Sequence, residues 1–114
     1  DHSKLTIVNG AFSSQGADQW DQPTDWNYNR IRDEELSWRG MSEQQIQIAW
    51  VKTTLLDPTV SLPSPSADAY ALETSLGNVA RALKTRYPNL QQVFFSSRIS
   101  FCTYQPYCFQ FYPV

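Results

Sequence analysis

The sequence has few of the residues on which catalytic and metal sites depend. Its 114 residues include one histidine, at position 2, and two cysteines, Cys102 and Cys108. Structural zinc usually needs four Cys or His ligands, so the sequence predicts no metal site. It also lacks the G-x-G-x-x-G and G-K-S/T motifs of nucleotide binding and the G-x-S-x-G motif of a serine nucleophile. We therefore expect no catalytic residue, metal or cofactor within this chain.

An excess of basic residues and long apolar runs are lacking as well. Nine Lys and Arg face eleven Asp and Glu, a net charge of −2, which argues against a nucleic-acid partner. No run approaches the roughly 18–20 apolar residues of a membrane span. Hydrophobic residues make up 41%, enough for a core, and the length fits a single domain over 1–114. Because the sequence starts with Asp1 rather than Met, we expect an incomplete piece of a longer protein.

Charge is absent from the last part of the chain. Residues 99–114 contain no Asp, Glu, Lys or Arg, yet they hold six of the sixteen aromatic residues. Such apolar area favours burial, so we expect 100–114 to be an irregular aromatic tail that packs against another surface. Cys102 and Cys108 either pair within this tail or remain ordinary thiols, according to the redox compartment.

What is present is an alternation of strand-like and helix-like segments. Short β-branched runs bounded by polar residues predict strands, and apolar residues at three- and four-residue spacing predict helices. This order predicts an α/β fold of about three parallel strands joined by crossover helices, β-α-β-α-β. The predicted elements are a strand over 5–8, a helix from Asp25 to Gly40, a strand over 46–51, a helix over 67–87 and a strand over 90–95.

Polar segments directly follow the three predicted strands. They are Asn9-Gly10 with the loop to Gly16, Lys52-Thr53-Thr54, and Ser96-Ser97-Arg98. Ligands of open parallel sheets bind at the carboxyl ends of the strands, so these segments are candidates for a site. The alternative is that polar residues simply begin loops.

Three stretches resemble a known family. KLTIVNGA over 4–11, with Gln15 and Trp20, resembles the second block of certain bacterial SGNH (GDSL-like) hydrolases. IQIAWVK over 46–52 is similar to their third-block strand, and residues 83–99 are similar to their next helix and strand. The resemblance implies a small three-layer flavodoxin-like fold and an esterase or lipase activity. It also implies a serine nucleophile, a D-x-x-H segment, and Gly and Asn oxyanion donors from the two intervening blocks.

The chain departs from this family pattern at three places. The nucleophile block and the D-x-x-H segment are not in the sequence, Phe12-Ser13-Ser14 stands where glycines are usual, and Trp50-Val51-Lys52-Thr53 stands where other SGNH families have G-x-N-D. We therefore expect a fragment or degenerate member of an SGNH-type serine hydrolase, inactive alone, whose complete form acts on a small ester or acylated carbohydrate. The candidate oxyanion or substrate-pocket residues are Asn9, Gly10, Ser13, Ser14, Gln15, Lys52, Thr53, Ser96 and Arg98.

Two other functions fit the composition. A carbohydrate-binding module would stack sugars on aromatic rings, and an interaction domain would use the tail as an anchor or self-associate through the tail or an open sheet edge. Against the first, aromatic side chains usually fill cores and their margins. The aromatic residues considered for sugar stacking are Trp20, Trp26, Tyr28, Tyr104 and Tyr107.

Overall fold

The longest element of the fold is a helix near the C-terminal half. The structure, a computed structural model, describes residues 5–56, 59–60 and 63–96. Helix α2 spans Asp68–Arg86, which confirms the helix predicted over 67–87. Its buried residues Val79, Ala82 and Leu83 lie on one face. Its first residue holds the preceding loop, because the Asp68 carboxylate accepts the backbone N–H groups of Thr59 and Val60, both at 2.6 Å.

Two short strands flank α2 in the sequence and pair with each other. Strand β1 spans Ile48–Val51 and strand β2 spans Gln92–Phe95. They are parallel, with Ile48 opposite Gln92 and Val51 opposite Phe95. Parallel neighbours cannot be joined by a tight turn, so α2 provides the crossover between them. Both strands lie inside the segments that the sequence predicts.

The prediction of a strand over 5–8 is wrong, and the predicted fold class is therefore wrong as well. In the described part of the chain the sheet has two strands, not three, so the three-layer flavodoxin-like β-α-β-α-β arrangement does not form. Residues 5–8 are irregular, and the side chains of Leu5 and Ile7 are 59% and 75% exposed. A β-branched run favours a strand only where a partner strand and a covering layer bury it, and these residues have neither.

The helix predicted to start after Asp25 has the predicted ends but an irregular middle. Helix α1 spans Trp26–Arg30 and continues as a π-helical turn, Ile31–Leu36, and a 3-10 turn, Ser37–Arg39. Gly40 ends it with φ of +70°, and the Met41 N–H donates to the Leu36 carbonyl in a Schellman motif. In the sequence Tyr28, Ile31, Leu36 and Trp38 predict an apolar stripe along this helix. The wide turn shifts the helical phase, and Trp38 is 71% exposed.

The core lies between α1, α2 and one face of the sheet. Tyr28 of α1 is fully buried and makes T-shaped contacts with Trp20 and Tyr87, at ring-centroid distances of 5.4 and 6.2 Å. Its hydroxyl donates to the Trp20 carbonyl at 2.5 Å. The buried core residues are Tyr28, Val79, Ala82, Leu83, Tyr87 and Leu90, with Ala49, Val51 and Val93 of the sheet packed against them.

One arginine at the end of α2 ties the remaining segments together. The Arg86 guanidinium makes a bidentate pair with Glu43, at 2.7 and 3.0 Å. It also donates to the Pro23 carbonyl at 2.9 Å and to Asn29 Oδ1 at 2.8 Å. These bonds join α2 to α1, to the loop before it and to the 3-10 turn Glu43–Gln45.

Across residues 5–56, 59–60 and 63–96 we find no helix with the length and apolar character needed to cross a membrane.

Candidate functional site

A loop from the N-terminal part of the chain meets the carboxyl end of β1. The Ala17 N–H donates to the Thr54 carbonyl at 2.7 Å, and both residues are buried. Gly16 allows this approach, because a Cβ there would lie 3.0 Å from Leu56 Cγ and 3.3 Å from the Leu56 backbone nitrogen. Two segments that are distant in the sequence, Gln15–Ala17 and Thr53–Leu56, are therefore joined.

Gln15 organises the turn that precedes this contact. Its side-chain Nε2 donates to the carbonyls of Ser13 and Ser14, at 3.2 and 3.3 Å. Its Oε1 accepts a hydrogen bond from Asn27 Nδ2 at 2.8 Å. The Gln15 amide thus fixes the Ser13-Ser14 turn on α1, which in turn packs into the core.

Ser14 has a backbone conformation that favours glycine. Its φ is +59°, in the left-handed region. A residue with a Cβ is disfavoured there by about 1–2 kcal/mol, and glycine is not. The resemblance to SGNH hydrolases places glycines at this point of the sequence. Ser13 and Ser14 are both exposed, so their backbone lies at the surface of the turn.

Gly10 is hydrogen-bonded to α1, and Asn9 is hydrogen-bonded within its own loop rather than to the sheet. The Gly10 carbonyl accepts a hydrogen bond from Arg30 Nη2 at 2.6 Å. Asn9 Oδ1 accepts the Ala11 N–H at 3.0 Å, as in an Asx turn, and Asn9 is exposed. Since no strand forms at 5–8, these two residues do not follow a strand end as the sequence predicted.

The other candidates lie at the carboxyl edge of the sheet. Lys52 is exposed and Thr53 is 9% exposed, directly after β1. Ser96 follows β2: its N–H donates to the Val51 carbonyl at 2.8 Å, and its Oγ accepts a hydrogen bond from the Trp50 indole N–H. The Ser96 hydroxyl is therefore engaged with the sheet. Arg98 lies outside the described residues.

Sequence analysis did not single out two buried polar residues of α1. Asn27 is 1% exposed, and Arg30 is 5% exposed. The Arg30 guanidinium lies over the rings of Phe12 and Trp26, at 4.8 and 5.7 Å from their centroids. Their three-residue spacing puts both on one helical face, but the spacing of two polar residues does not indicate that the face is buried.

Buried polar atoms without partners occur on α1 and in the segment after β1. Among the atoms that the structure describes, Asn27 Oδ1, Arg30 Nε and Thr54 Oγ1 are buried and have no hydrogen-bond partner. Asn27 and Thr54 each form a hydrogen bond with the Gln15–Ala17 segment, Asn27 with Gln15 and Thr54 with Ala17. Buried polar groups are normally paired, so these three atoms are exceptions to the usual pattern.

Acidic residues lie beside the loop. Partial burial, then the carboxylates of Asp25 and Asp18, raise the pKa of Asp21 above its usual range. Within the described ranges, no group of three His, Cys, Asp or Glu side chains is arranged to hold a metal ion. Chemically, the site offers backbone N–H groups and amide side chains; the histidine of the sequence, His2, lies outside the described residues.

The aromatic residues considered for sugar stacking fall into different environments. Tyr28 is fully buried in the core, and half-buried Trp20 makes a T-shaped contact with it. Trp26 is 56% exposed and contacts Phe12 in a T-shaped pair at 5.3 Å. Tyr104 and Tyr107 lie outside the described residues.

No protein-family model, curated protein or solved structure matches the chain.

Proposed function

We propose that the chain is a piece of an SGNH-type serine hydrolase and contributes the oxyanion side of an ester-hydrolysing site. The observation that carries this proposal is the hydrogen bond from the Ala17 N–H to the Thr54 carbonyl. It joins the loop after Val-Asn-Gly-Ala to the end of the Ile46–Lys52 segment. In the family that these segments resemble, the corresponding two blocks supply the oxyanion donors together.

The left-handed Ser14 supports the same assignment. A left-handed residue in a turn belongs to the backbone conformations that gather successive N–H groups around an anion. Ser13 and Ser14 are exposed, and Gln15 holds their carbonyls, so the turn is preorganised. Donors fixed in advance toward a developing negative charge commonly contribute about 3–4 kcal/mol each to the transition state.

The 114-residue chain is inactive in this proposal. Ester hydrolysis by this chemistry needs a nucleophile activated by an adjacent base. The only imidazole of the sequence is His2, and no G-x-S-x-G or D-x-x-H motif is present. The nucleophile and base come from segments that this sequence does not contain. The substrate of the complete enzyme is a small ester or an acylated carbohydrate.

The test compares hydrolysis of p-nitrophenyl acetate by the 114-residue chain and by a longer form whose reading frame reaches the nucleophile and D-x-x-H segments. We expect no turnover by the first and turnover sensitive to serine-directed inhibitors by the second. A longer form that folds and lacks turnover would contradict the hydrolase assignment. Serine-inhibitor-sensitive turnover by the 114-residue chain would contradict its inactivity.

A matched pair of variants in the longer form tests the oxyanion role. Ser13→Pro removes a backbone N–H, whereas Ser13→Ala keeps it and removes only the hydroxyl. We expect Ser13→Pro to lower kcat about 100-fold or more, with Ser13→Ala close to the unsubstituted enzyme. Circular dichroism and thermal melting verify that both variants fold. Equal kcat values for the two folded variants would remove this turn from the oxyanion site.

A further inference from the structure

The two faces of the sheet have opposite environments. Ala49, Val51 and Val93 point toward α2 and pack against the core. On the other face, Ile48, Trp50 and Phe94 are 55%, 77% and 55% exposed. Trp50 and Phe94 are register partners, so the two residues lie opposite each other on adjacent strands. We call Ile48, Trp50 and Phe94 the open sheet face.

An open face of this kind is unusual for parallel strands. Parallel sheets are normally covered on both faces, and their strands are apolar on both faces for that reason. The alternation along β1 is not apolar-in and polar-out: Ile48 and Trp50 are as hydrophobic as the residues they alternate with. A contiguous exposed apolar patch indicates a surface that another segment covers.

The chain itself contains an uncharged aromatic segment that is suited to cover the apolar open sheet face. Residues 99–114 include six aromatic side chains and no Asp, Glu, Lys or Arg. This segment begins four residues after β2 ends at Phe95. A four-residue strand is about 13 Å long, while sixteen extended residues reach about 50 Å, so the segment is long enough to return across the sheet.

The start of the connection lies next to the open sheet face. The Ser96 hydroxyl accepts a hydrogen bond from the Trp50 indole N–H, and the Ser96 N–H donates to the Val51 carbonyl. The chain therefore leaves β2 beside the most exposed residue of that face. A short return path reduces the loop-closure entropy that the packing must offset.

We propose that the uncharged aromatic segment 99–114 folds back and packs over the open sheet face of its own chain. The contact is intramolecular and hydrophobic, and it supplies the second covering layer of the β1–α2–β2 unit. It does not depend on the hydrolase assignment, because both partners lie within the 114 residues.

The experiment places a nitroxide label on Cys108 in the full 114-residue chain carrying Cys102→Ser. Paramagnetic broadening is read on the tryptophan indole N–H signals, assigned with Trp50→Phe and Trp38→Phe. Trp38 is the matched control, because its 71% exposure is close to the 77% of Trp50. We expect the Trp50 signal to lose intensity several-fold more than the Trp38 signal. A label on Cys102 in a Cys108→Ser chain repeats the measurement, in case one label displaces the segment.

Equal broadening of both signals, or none, with both labels would overturn the proposal. A mixed sample identifies the remaining alternative: isotope-labelled chains without cysteine are combined with unlabelled chains that carry the nitroxide. Broadening of Trp50 in that mixture would mean that the segment of a second copy covers the face, which also contradicts the intramolecular contact. The readout involves no activity, so its failure leaves the proposed function untouched.

Discussion

Ser14 and Gly40 share a left-handed backbone conformation but differ in what that conformation costs. Their φ values are +59° and +70°. Gly40 ends a helical segment where glycine is the usual residue, and nothing lies within 4 Å of the position its Cβ would take. Ser14 holds a side chain in the same region of φ. Substitutions at these two positions therefore test the same backbone effect, and the expected changes in stability have opposite signs.

Replacing Ser14 with glycine is expected to raise the free energy of unfolding by about 0.5–1 kcal/mol. The left-handed conformation costs a residue with a Cβ about 1–2 kcal/mol, and the greater freedom of glycine in the unfolded chain offsets part of the gain. Urea unfolding followed by circular dichroism measures the change.

The reverse substitution provides the control. Gly40→Ala is expected to lower the free energy of unfolding by about 1 kcal/mol, because the added methyl group meets no neighbour and only the backbone penalty remains. A loss of stability in Ser14→Gly would mean that the serine hydroxyl makes a contribution larger than the conformational cost.

At the scale of elements, the Arg86 side chain links α2 to several other segments of the fold. Its side chain and that of Glu43 are 13% and 17% exposed, and together they bridge the end of α2 to the Glu43–Gln45 turn. The added bonds to Pro23 and Asn29 extend the connection to α1 and its preceding loop. The partly buried guanidinium thus makes four hydrogen bonds to three residues, and these bonds fix the end of α2 relative to α1 and the Glu43–Gln45 turn.

Arg86→Met is expected to lower the free energy of unfolding by about 2–4 kcal/mol. Methionine keeps the apolar stem, but the Glu43 carboxylate is left with its bidentate partner removed in a mostly buried position. Urea unfolding measures the loss. Arg32→Met is the matched control, since the Arg32–Asp33 pair is exposed and ion pairs in solvent contribute little to stability. Similar losses in both variants would contradict the bridging role of Arg86.

Replacing a glycine inside α2 is expected to change stability in the opposite direction from replacing Gly40. Gly77→Ala is expected to raise the free energy of unfolding by about 0.5–1 kcal/mol, because alanine has the higher helix propensity. The nearest atom to the added methyl group is Arg81 Nη2 at 3.3 Å, the mobile end of a side chain. Thermal or urea unfolding measures the change, and Ala71→Gly at an exposed position of α2 should lower stability by a similar amount.

The helix over 67–87 and the strands within 46–51 and 90–95 could be predicted from sequence, because their patterns are local. Leu5-Thr6-Ile7-Val8 has the same local pattern and forms no strand, because pairing depends on partners elsewhere in the chain. The π-helical turn at 31–36 has no sequence signature, so the exposure of Trp38 could not be predicted either. At the site, the polar residues after β1 and β2 could be predicted, but Asn9 and Gly10 follow no strand, and the burial of Asn27 and Arg30 depends on tertiary packing.

For the molecule as a whole, the core depends on a pair of tyrosines that must stay neutral. Burial raises the pKa of the Tyr87 phenol to about 12, and the negative Glu43 adds to the shift. Burial, with the nearby Tyr87 phenol, also raises the pKa of Tyr28. The rings contact each other edge to face where α1 meets α2. Ionisation of either phenol would place a negative charge in the centre of the fold.

The sign of the pH dependence follows from these raised pKa values. Unfolded tyrosines lose their protons near pH 10, before the folded ones do. The stabilisation is therefore fully present below about pH 10 and is lost as the pH rises toward 12, by up to about 1.4 kcal/mol per pH unit for each tyrosine. Urea unfolding at a series of pH values between about 9 and 12 measures the slope.

Tyr87→Phe is expected to reduce that alkaline slope by about half, since phenylalanine keeps the edge-to-face contact and removes one of the two ionisable groups. Tyr70→Phe is the control, because it removes a phenol from the same helix at a side chain that is 52% exposed. The control should leave the slope as it is in the unsubstituted chain. If Tyr87→Phe also leaves it unchanged, the loss of stability above pH 10 arises outside the pair that joins α1 to α2.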